Sequence, residues 1–452
     1  MEIKIDNIFK KIFTLLIITT MISIPLLELF GTLFLKEKFF YQEEFLSFIS
    51  IVCIFFIFQY LFVYKKTNNK LVLSDIFIII SAFFCAISII FSKNINKSLF
   101  GEYGYSETPL QVLAYFSLFF IGTLLNEENS KKIIFNIFIA LAITEAIIAF
   151  LQNFSLWPIS SLFDPSWHIK DHLAFGLTEH CNYFAAISTI FTAICSSKYI
   201  YENNKIKSRI FFGLAIITCF STLFTYTRIG WVGIFSIIFG IFLLEFIIYK
   251  KEKDKIIFKK YFKKLLILFL CFVICLLIVG ISSGQLLNDL FESAKELTSD
   301  FENFGTKRGT IWKVGLSSLK HYPLTGTGFD NYRYSFNIYP EKFGWSQNKG
   351  HNEYIHILVT QGIPSGINYL AFTFYCFFFP FKKIRDKNTN FSKCNLNKIF
   401  LIALFAYFVQ ALFNSSVTNV APYKWILMGF LLPRAEQKNL FKTKFFKKYK
   451  KS

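Results

Sequence analysis

Long runs of apolar residues alternate along this chain with short polar segments. Most runs are about 17–24 residues long, and a helix of that length crosses a hydrocarbon core of about 30 Å. Apolar residues occupy all sides of these runs rather than one stripe, which is typical of membrane spans. The pattern predicts about twelve spans, which in chain order are Ile12–Leu35, Phe45–Tyr64, Leu71–Phe91, Pro109–Leu125, Ile133–Phe154, Cys181–Ser197, Ile210–Tyr226, Ile229–Tyr249, Leu265–Ile281, Ile363–Phe381, Ile399–Phe413 and Thr418–Leu432. Pro422 and Lys424 interrupt the last of them.

The composition agrees with this pattern, because 54% of the residues are hydrophobic and only 17% are charged. A soluble protein could not enclose so many helices that are apolar all round. We therefore expect an all-α fold, a polytopic membrane protein with about 12 transmembrane helices and one large extracytoplasmic helical loop. The first run is too long for a signal-peptide core and lacks a small-residue cleavage site, so we expect it to be retained.

One long polar segment interrupts the apolar pattern and divides the chain. Residues 1–281 hold nine predicted spans, 282–362 form the large loop, 363–433 hold three spans, and 434–452 are a basic tail. An apolar stripe within the loop predicts an amphipathic helix at Gln285–Thr298. A second helix is predicted from about Lys307 to Tyr322, followed by a glycine-dependent turn in "PLTGTGF". A third helix is predicted to begin near His351 and to break at "QGIPSG".

The net charge of +20 is unevenly distributed. Roughly 34 of the 49 Lys and Arg residues lie in the two termini and in every second loop between the predicted spans. This is the distribution that the positive-inside rule produces. Both termini are therefore expected in the cytoplasm and the large loop outside it. The basic segments favour anionic membrane lipid as a partner, and nothing in this distribution indicates nucleic acid.

This topology places three candidate residues on the outer side. Arg228 is either an interface anchor or an anion clamp, because guanidinium matches phosphate in shape and charge. Arg308 opposes the dipole of its predicted helix, which is unfavourable unless an anion binds there; a solvated surface charge is the alternative. His351 is either a capping residue or a general base, since neutral imidazole accepts protons near neutral pH.

Weaker candidates surround these three. Tyr332, Arg333, His180 and Asn352 are possible substrate contacts in the outer segments. Glu145 lies inside the fifth predicted span, where a carboxylate is either functional or a hydrogen-bonded packing residue. The sequence contains no Asp-x-Asp motif, phosphate-binding loop, nucleophile elbow or Cys/His cluster, so we expect no metal and no cofactor.

Four segments together resemble the O-antigen ligase and polymerase family of membrane glycosyltransferases. These are "TRIGW" after a span, "RGTIW…HYPLTGTGF" in the loop, "HNEYIHILVTQG" before the next span, and "FGLTEHCNYFAA" before the sixth span. The detailed likeness covers about a quarter of the chain, and the layout of spans agrees with it. In "TRIG" a large residue follows the arginine where the family often has a small one.

The resemblance implies an enzyme that transfers a glycan from undecaprenyl diphosphate to an acceptor sugar hydroxyl in surface polysaccharide biosynthesis. Arg228 and Arg308 would hold the diphosphate without a metal, and His351 would be the base or would orient the acceptor, giving inversion at the anomeric carbon. The expected location is the bacterial cytoplasmic (inner) membrane, with the active site on its outer side. Its partners would be the lipid-linked donor and a saccharide acceptor, either a lipid core or a growing glycan.

Two choices stay open at this point. A ligase and a polymerase share the same donor chemistry, so the residues do not decide between them. A transporter or flippase of lipid-linked saccharide is the alternative from another class, and it predicts repeated halves and several charges deep in the spans. A purely structural membrane protein would leave the polar loop without a purpose.

Overall fold

The computed structural model describes residues 2–30, 41–64, 70–101, 107–125, 127–156, 173–178, 180–283, 292, 295–296, 298–338, 345–384 and 395–440. Within these residues the regular secondary structure is helical, and no strand occurs. The α-helices are α1 Glu2–Phe30, α2 Tyr41–Phe58, α3 Leu73–Ile90, α4 Ile95–Phe100, α5 Pro109–Leu124, α6 Glu128–Asn153, α7 Cys181–Tyr201, α8 Lys205–Leu223, α9 Arg228–Glu252, α10 Lys255–Ser283, α11 Phe304–Ser318, α12 Tyr334–Asn337, α13 Glu353–Gln361, α14 Ile363–Ile384, α15 Asn395–Gln410 and α16 Ala421–Leu431. A π-helix, Gln59–Tyr64, extends α2, and 3₁₀ turns occur at Ala411–Phe413 and Arg434–Glu436.

Eight of the described helices are long and apolar enough to cross a membrane: α1, α2 with its π-helical extension, α3, α6, α8, α9, α10 and α15 with its 3₁₀ extension. The all-helical, multi-span class is therefore confirmed, whereas the count of twelve is not. The predicted span Thr418–Leu432 becomes α16, whose 11 residues cover only about 16 Å at 1.5 Å per residue. Pro422 lies in its first turn, and Lys424 is 1% exposed within the protein.

Helix α7 lies at the centre of the bundle and packs on α6, α8, α9 and α15. Its small residues allow close approach: a Cβ on Gly233 of α9 would lie 2.3 Å from Oγ1 of Thr189. A hydroxyl pair, Ser188 with Thr222 at 2.8 Å, joins α7 to α8. Small and hydroxyl-bearing residues are the usual means by which helices associate inside a membrane. Protein surrounds α7 on most sides, and every residue from Phe184 to Ser197 is buried.

Two of the three predicted loop helices are present, with altered limits. The helix predicted over Lys307–Tyr322 is α11, which ends at Ser318. The helix expected near His351 begins at Glu353, because the Asn352 side chain accepts a hydrogen bond from the Ile355 N–H. The chain breaks at Gly362, whose φ of 86° is accessible mainly to glycine. The amphipathic helix predicted at Gln285–Thr298 lies largely outside the described residues.

Candidate functional site

The first element of the site is the start of α9. Thr227 caps this helix by accepting a hydrogen bond from the Gly230 N–H at 3.2 Å. Arg228 follows, and its Nη1 donates to Oε2 of Glu296 at 2.8 Å. The same carboxylate oxygen accepts the Gly305 N–H at 3.0 Å. A guanidinium and a backbone N–H therefore converge on one anionic oxygen.

The second element is the start of α11, which carries Arg308. Gly305, Thr306 and Lys307 all have left-handed φ between 59° and 68°, so the right-handed helix begins only at Arg308. Gly309 is required next to it, because a Cβ there would lie 1.6 Å from the Phe301 carbonyl oxygen. The guanidinium of Arg308 forms no ion pair or hydrogen bond within the described part of the chain. Burial, with the positive charge of Arg228, lowers the pKa of Arg308 to about 10.

The third element is the turn that presents His351. Its φ is 46°, and its N–H donates to Oγ of Ser415 at 3.0 Å. Trp312, one turn after Arg308 on α11, donates from Nε1 to the Gly350 carbonyl at 2.9 Å. Burial, with the positive charge of Arg308, lowers the pKa of His351 to about 3, so its imidazole is neutral at pH 7.

A buried ionic cluster stabilises this turn from behind. Asp330, 3% exposed, accepts hydrogen bonds from Nζ of Lys349 at 2.9 and 3.0 Å. The imidazole of His356 contacts the same carboxylate, because its Nε2 lies 2.8 Å from Oδ1 of Asp330. Nδ1 of His356 accepts a hydrogen bond from the Gly350 N–H at 3.3 Å. Burial alone would raise the pKa of Asp330, but Lys349 and His356 outweigh it and lower that pKa. The charged cluster thus holds Lys349 and Gly350, the two residues immediately before His351.

The backbone is strained at each of these elements. Seven non-glycine residues in the described ranges have positive φ, and five of them lie here: Tyr226, Thr306, Lys307, Asp330 and His351. Such conformations cost roughly 1–3 kcal/mol each and concentrate at functional sites. The concentration of strain beside Arg228, Arg308 and His351 supports a functional role for the three.

The weaker candidates divide between the site and its surroundings. His180 caps α7 through Nδ1, which accepts the Asn182 N–H at 3.0 Å, and it lies within electrostatic reach of His351. Asn352 is the cap of α13. Tyr332 is 0% exposed and donates to the Ile311 carbonyl, so its side chain offers substrate no surface. Arg333 is exposed and lines a separate basin beside α4.

Sequence reasoning missed a second buried ionic group next to the site. Glu353, 2% exposed, accepts hydrogen bonds from Tyr369, Tyr407 at 2.7 Å, and the ammonium of Lys424. Lys424 interrupting an apolar run was the available signal, because a buried lysine requires a carboxylate partner. The Asp330 cluster, with Lys349 and His356, was missed as well. Both groups line one cavity of about 80 Å³ between the loop and the spans.

Glu145 has a structural setting in the bundle. Its Oε2 accepts the Leu177 N–H at 3.0 Å, and Gln152 holds Phe175 and Gly176 through its amide. The two side chains fix the segment that leads to His180. This arrangement matches the hydrogen-bonded packing alternative for Glu145.

The site can bind an anion and accept a proton. It combines two arginines with a neutral imidazole, and no group of His, Cys, Asp and Glu in the described residues could hold a metal ion. Fold and site together define a polytopic helical membrane protein with a cationic site where its large loop meets the spans.

Comparison with known families identifies the class further. Residues 213–370 match the family model described as O-antigen ligase, a segment that includes Arg228, Arg308 and His351. The match confirms the predicted resemblance to the O-antigen ligase and polymerase family. No curated protein matches the chain.

Proposed function

We propose that the protein is a glycosyltransferase of the bacterial cytoplasmic membrane that transfers a glycan from undecaprenyl diphosphate to a sugar hydroxyl. The family match supports ligase- or polymerase-type activity in general. The observation that carries the finer proposal is Arg308, a partly buried cation without an anionic partner among the described residues, beside Arg228 and the neutral His351. A dianionic ligand would remove the repulsion between the two arginines.

The donor diphosphate would bind between Arg228 and Arg308. The Glu296 carboxylate supports this placement, because it occupies an oxygen position that Arg228 and the Gly305 N–H both contact. A phosphate oxygen of the donor would take the place of that carboxylate oxygen. Bidentate guanidinium contacts then stabilise the charge that develops on the leaving diphosphate, which is the role a metal ion has in other transferases.

His351 would accept the proton of the attacking hydroxyl. The acceptor oxygen forms a bond to the anomeric carbon as the bond from that carbon to the diphosphate breaks, and undecaprenyl diphosphate leaves with the electron pair. Attack from the face opposite the diphosphate inverts the anomeric configuration. Burial and the charge of Arg308 together lower the pKa of His351. The bound diphosphate would offset the effect of Arg308 and raise that pKa towards the range in which imidazole is an effective base.

The transfer assay uses purified protein in detergent, a lipid-linked oligosaccharide and a saccharide acceptor. Transfer is expected to persist in the presence of a chelator, since the two arginines supply the positive charge. One added unit per acceptor indicates a ligase, and a ladder of products indicates a polymerase. Donor binding or translocation across vesicles without transfer would refute the proposal in favour of a transporter, and a rate restored only by Mg²⁺ would refute the role of the arginines.

A further inference from the structure

A second concave site lies next to the one already described. It is an open basin of about 740 Å³ between α4 and α12, and none of Arg228, Arg308 and His351 lines it. Its wall includes three cations and several amides, among them Lys93, Lys97, Arg333, Asn96, Asn331 and Asn337. Pockets that bury a ligand of a few sugar residues fall in this range of volumes.

The basin is joined to the turn that carries His351. Ser98 of α4 donates to the Phe329 carbonyl at 2.7 Å, one residue before Asp330. Lys97 donates to Oδ1 of Asn348 at 3.3 Å, three residues before His351. One wall of the basin is therefore continuous with the segment that the Asp330 cluster holds in place. A glycan lying in the basin would extend along that segment towards His351.

The chemistry of the wall indicates an anionic, hydroxyl-rich ligand. Lys93, Lys97 and Arg333 place three positive charges around one basin, and a carboxylate or phosphate group on a ligand would form charge-assisted hydrogen bonds with them. The rings of Phe100, 78% exposed, and Tyr334 border the basin and offer apolar faces to a sugar ring. Asn331, which is 4% exposed, also lines the basin and adds an amide residue to its wall.

We infer that this basin binds an acidic saccharide, a carboxylate- or phosphate-bearing portion of the acceptor glycan, and delivers its hydroxyl to His351. The inference rests on the proposed function for the identity of the glycan as acceptor. Amide groups favour a saccharide over a lipid headgroup, because they match sugar hydroxyls as donors and acceptors.

The test is direct binding of labelled trisaccharides to the purified full-length protein, without any transfer step. The probes are trigalacturonate, phosphorylated maltotriose and neutral maltotriose. The variant Lys93→Gln/Arg333→Gln removes two charges from the basin, and Lys313→Gln/Lys320→Gln removes two charges from exposed loop positions outside it. We expect an acidic trisaccharide to bind at least about tenfold more tightly than the neutral one, a preference that disappears only in the basin variant.

Each outcome has a definite meaning. Preference for trigalacturonate identifies a uronic acid, and preference for phosphorylated maltotriose identifies a sugar phosphate; both support the inference. Equal binding of acidic and neutral probes, or an unchanged preference in the basin variant, overturns it. The inference is also overturned if phosphatidylglycerol vesicles displace the trisaccharide and phosphatidylcholine vesicles do not, because the basin would then be a site for anionic lipid. Acid-selective binding by a protein that never transfers glycan would leave the basin intact and defeat the proposed function instead.

Discussion

Replacing Arg308 with glutamine should separate a functional arginine from a structural one. A structural arginine stabilises the fold, so its loss lowers the free energy of unfolding. Arg308 instead carries a partly buried charge with no ion pair among the described residues and with Arg228 nearby. The neutral variant Arg308→Gln should therefore be as stable as the wild type or more stable, while it binds diphosphate more weakly.

The structure sets the size of both effects. Lowering the pKa of arginine from 12.5 to about 10 corresponds to about 3 kcal/mol against the charged form, at 1.36 kcal/mol per pKa unit. A base whose pKa is lowered by folding is penalised at every pH below that lowered value, so the penalty is present in full at pH 7. Removing it should raise the free energy of unfolding by up to about 3 kcal/mol. The lost charge-assisted hydrogen bonds should weaken diphosphate binding by roughly 10- to 150-fold.

Two assays measure these effects on the same sample. Thermal unfolding in detergent can be followed with a thiol-reactive dye, because Cys53, Cys195, Cys219 and Cys376 are 0% exposed and react only on unfolding. Binding is measured by titration with farnesyl diphosphate. Lys313→Gln is the matched control, since the Lys313–Glu302 pair is 70% and 64% exposed and contributes less than about 1 kcal/mol. A lower unfolding midpoint for Arg308→Gln together with unchanged binding would refute the assignment.

Three further predictions concern the rest of the site. Between pH 6.5 and 5 the wild type should lose about 2 kcal/mol of stability, because His351 binds a proton in the unfolded chain but not in the folded protein, where its pKa is about 3. His351→Gln should lose less stability over this range, and His321→Gln should behave as the wild type. Parallel profiles of stability against pH for all three proteins would contradict this. Asp330→Asn should cost about 3–5 kcal/mol, because the buried Lys349 ammonium loses its hydrogen-bonded carboxylate and keeps only Glu107, 3.9 Å away. Glu302→Gln at the exposed pair should cost less than about 1 kcal/mol, so equal unfolding midpoints would show that the cluster is not charged. Gly309→Ala should destabilise by roughly 1–3 kcal/mol, because its Cβ would meet the Phe301 carbonyl at 1.6 Å. Gly213→Ala, where a Cβ meets nothing within 4 Å, should stabilise α8 by about 1 kcal/mol. Unfolding midpoints that shift in the same direction in Gly309→Ala and Gly213→Ala would contradict the geometry.

Most of the helical architecture could be predicted from the sequence, because a span is a local property of one apolar run. The break at Gly362 was predictable for the same reason, since it depends on the φ that one residue adopts. The predicted span at Thr418–Leu432 is not confirmed, and the limits of the helix found there, Ala421–Leu431, depend on tertiary partners. Lys424 is buried by its pairing with Glu353, 71 positions away, and no periodicity reports such a pair.

The candidate site was predictable as a list of residues but not as a geometry. Arg228, Arg308 and His351 could be grouped from loop charges and family likeness, and the structure places Arg308 within electrostatic reach of both Arg228 and His351. The parts that orient them were not predictable. The left-handed residues before Arg308 and the Asp330–His356 contact arise from packing between distant segments, which composition and spacing do not encode.

In the proposed mechanism His351 accepts the proton of the acceptor hydroxyl while the arginines hold the donor. Single-turnover transfer in purified His351→Ala measures this proton transfer by itself, with lipid-linked donor bound beforehand and acceptor added in excess. Because general base catalysis contributes about 10²- to 10⁴-fold, transfer should fall by at least about 100-fold while donor affinity is unchanged. Transfer at the wild-type rate with donor fully bound would contradict the account.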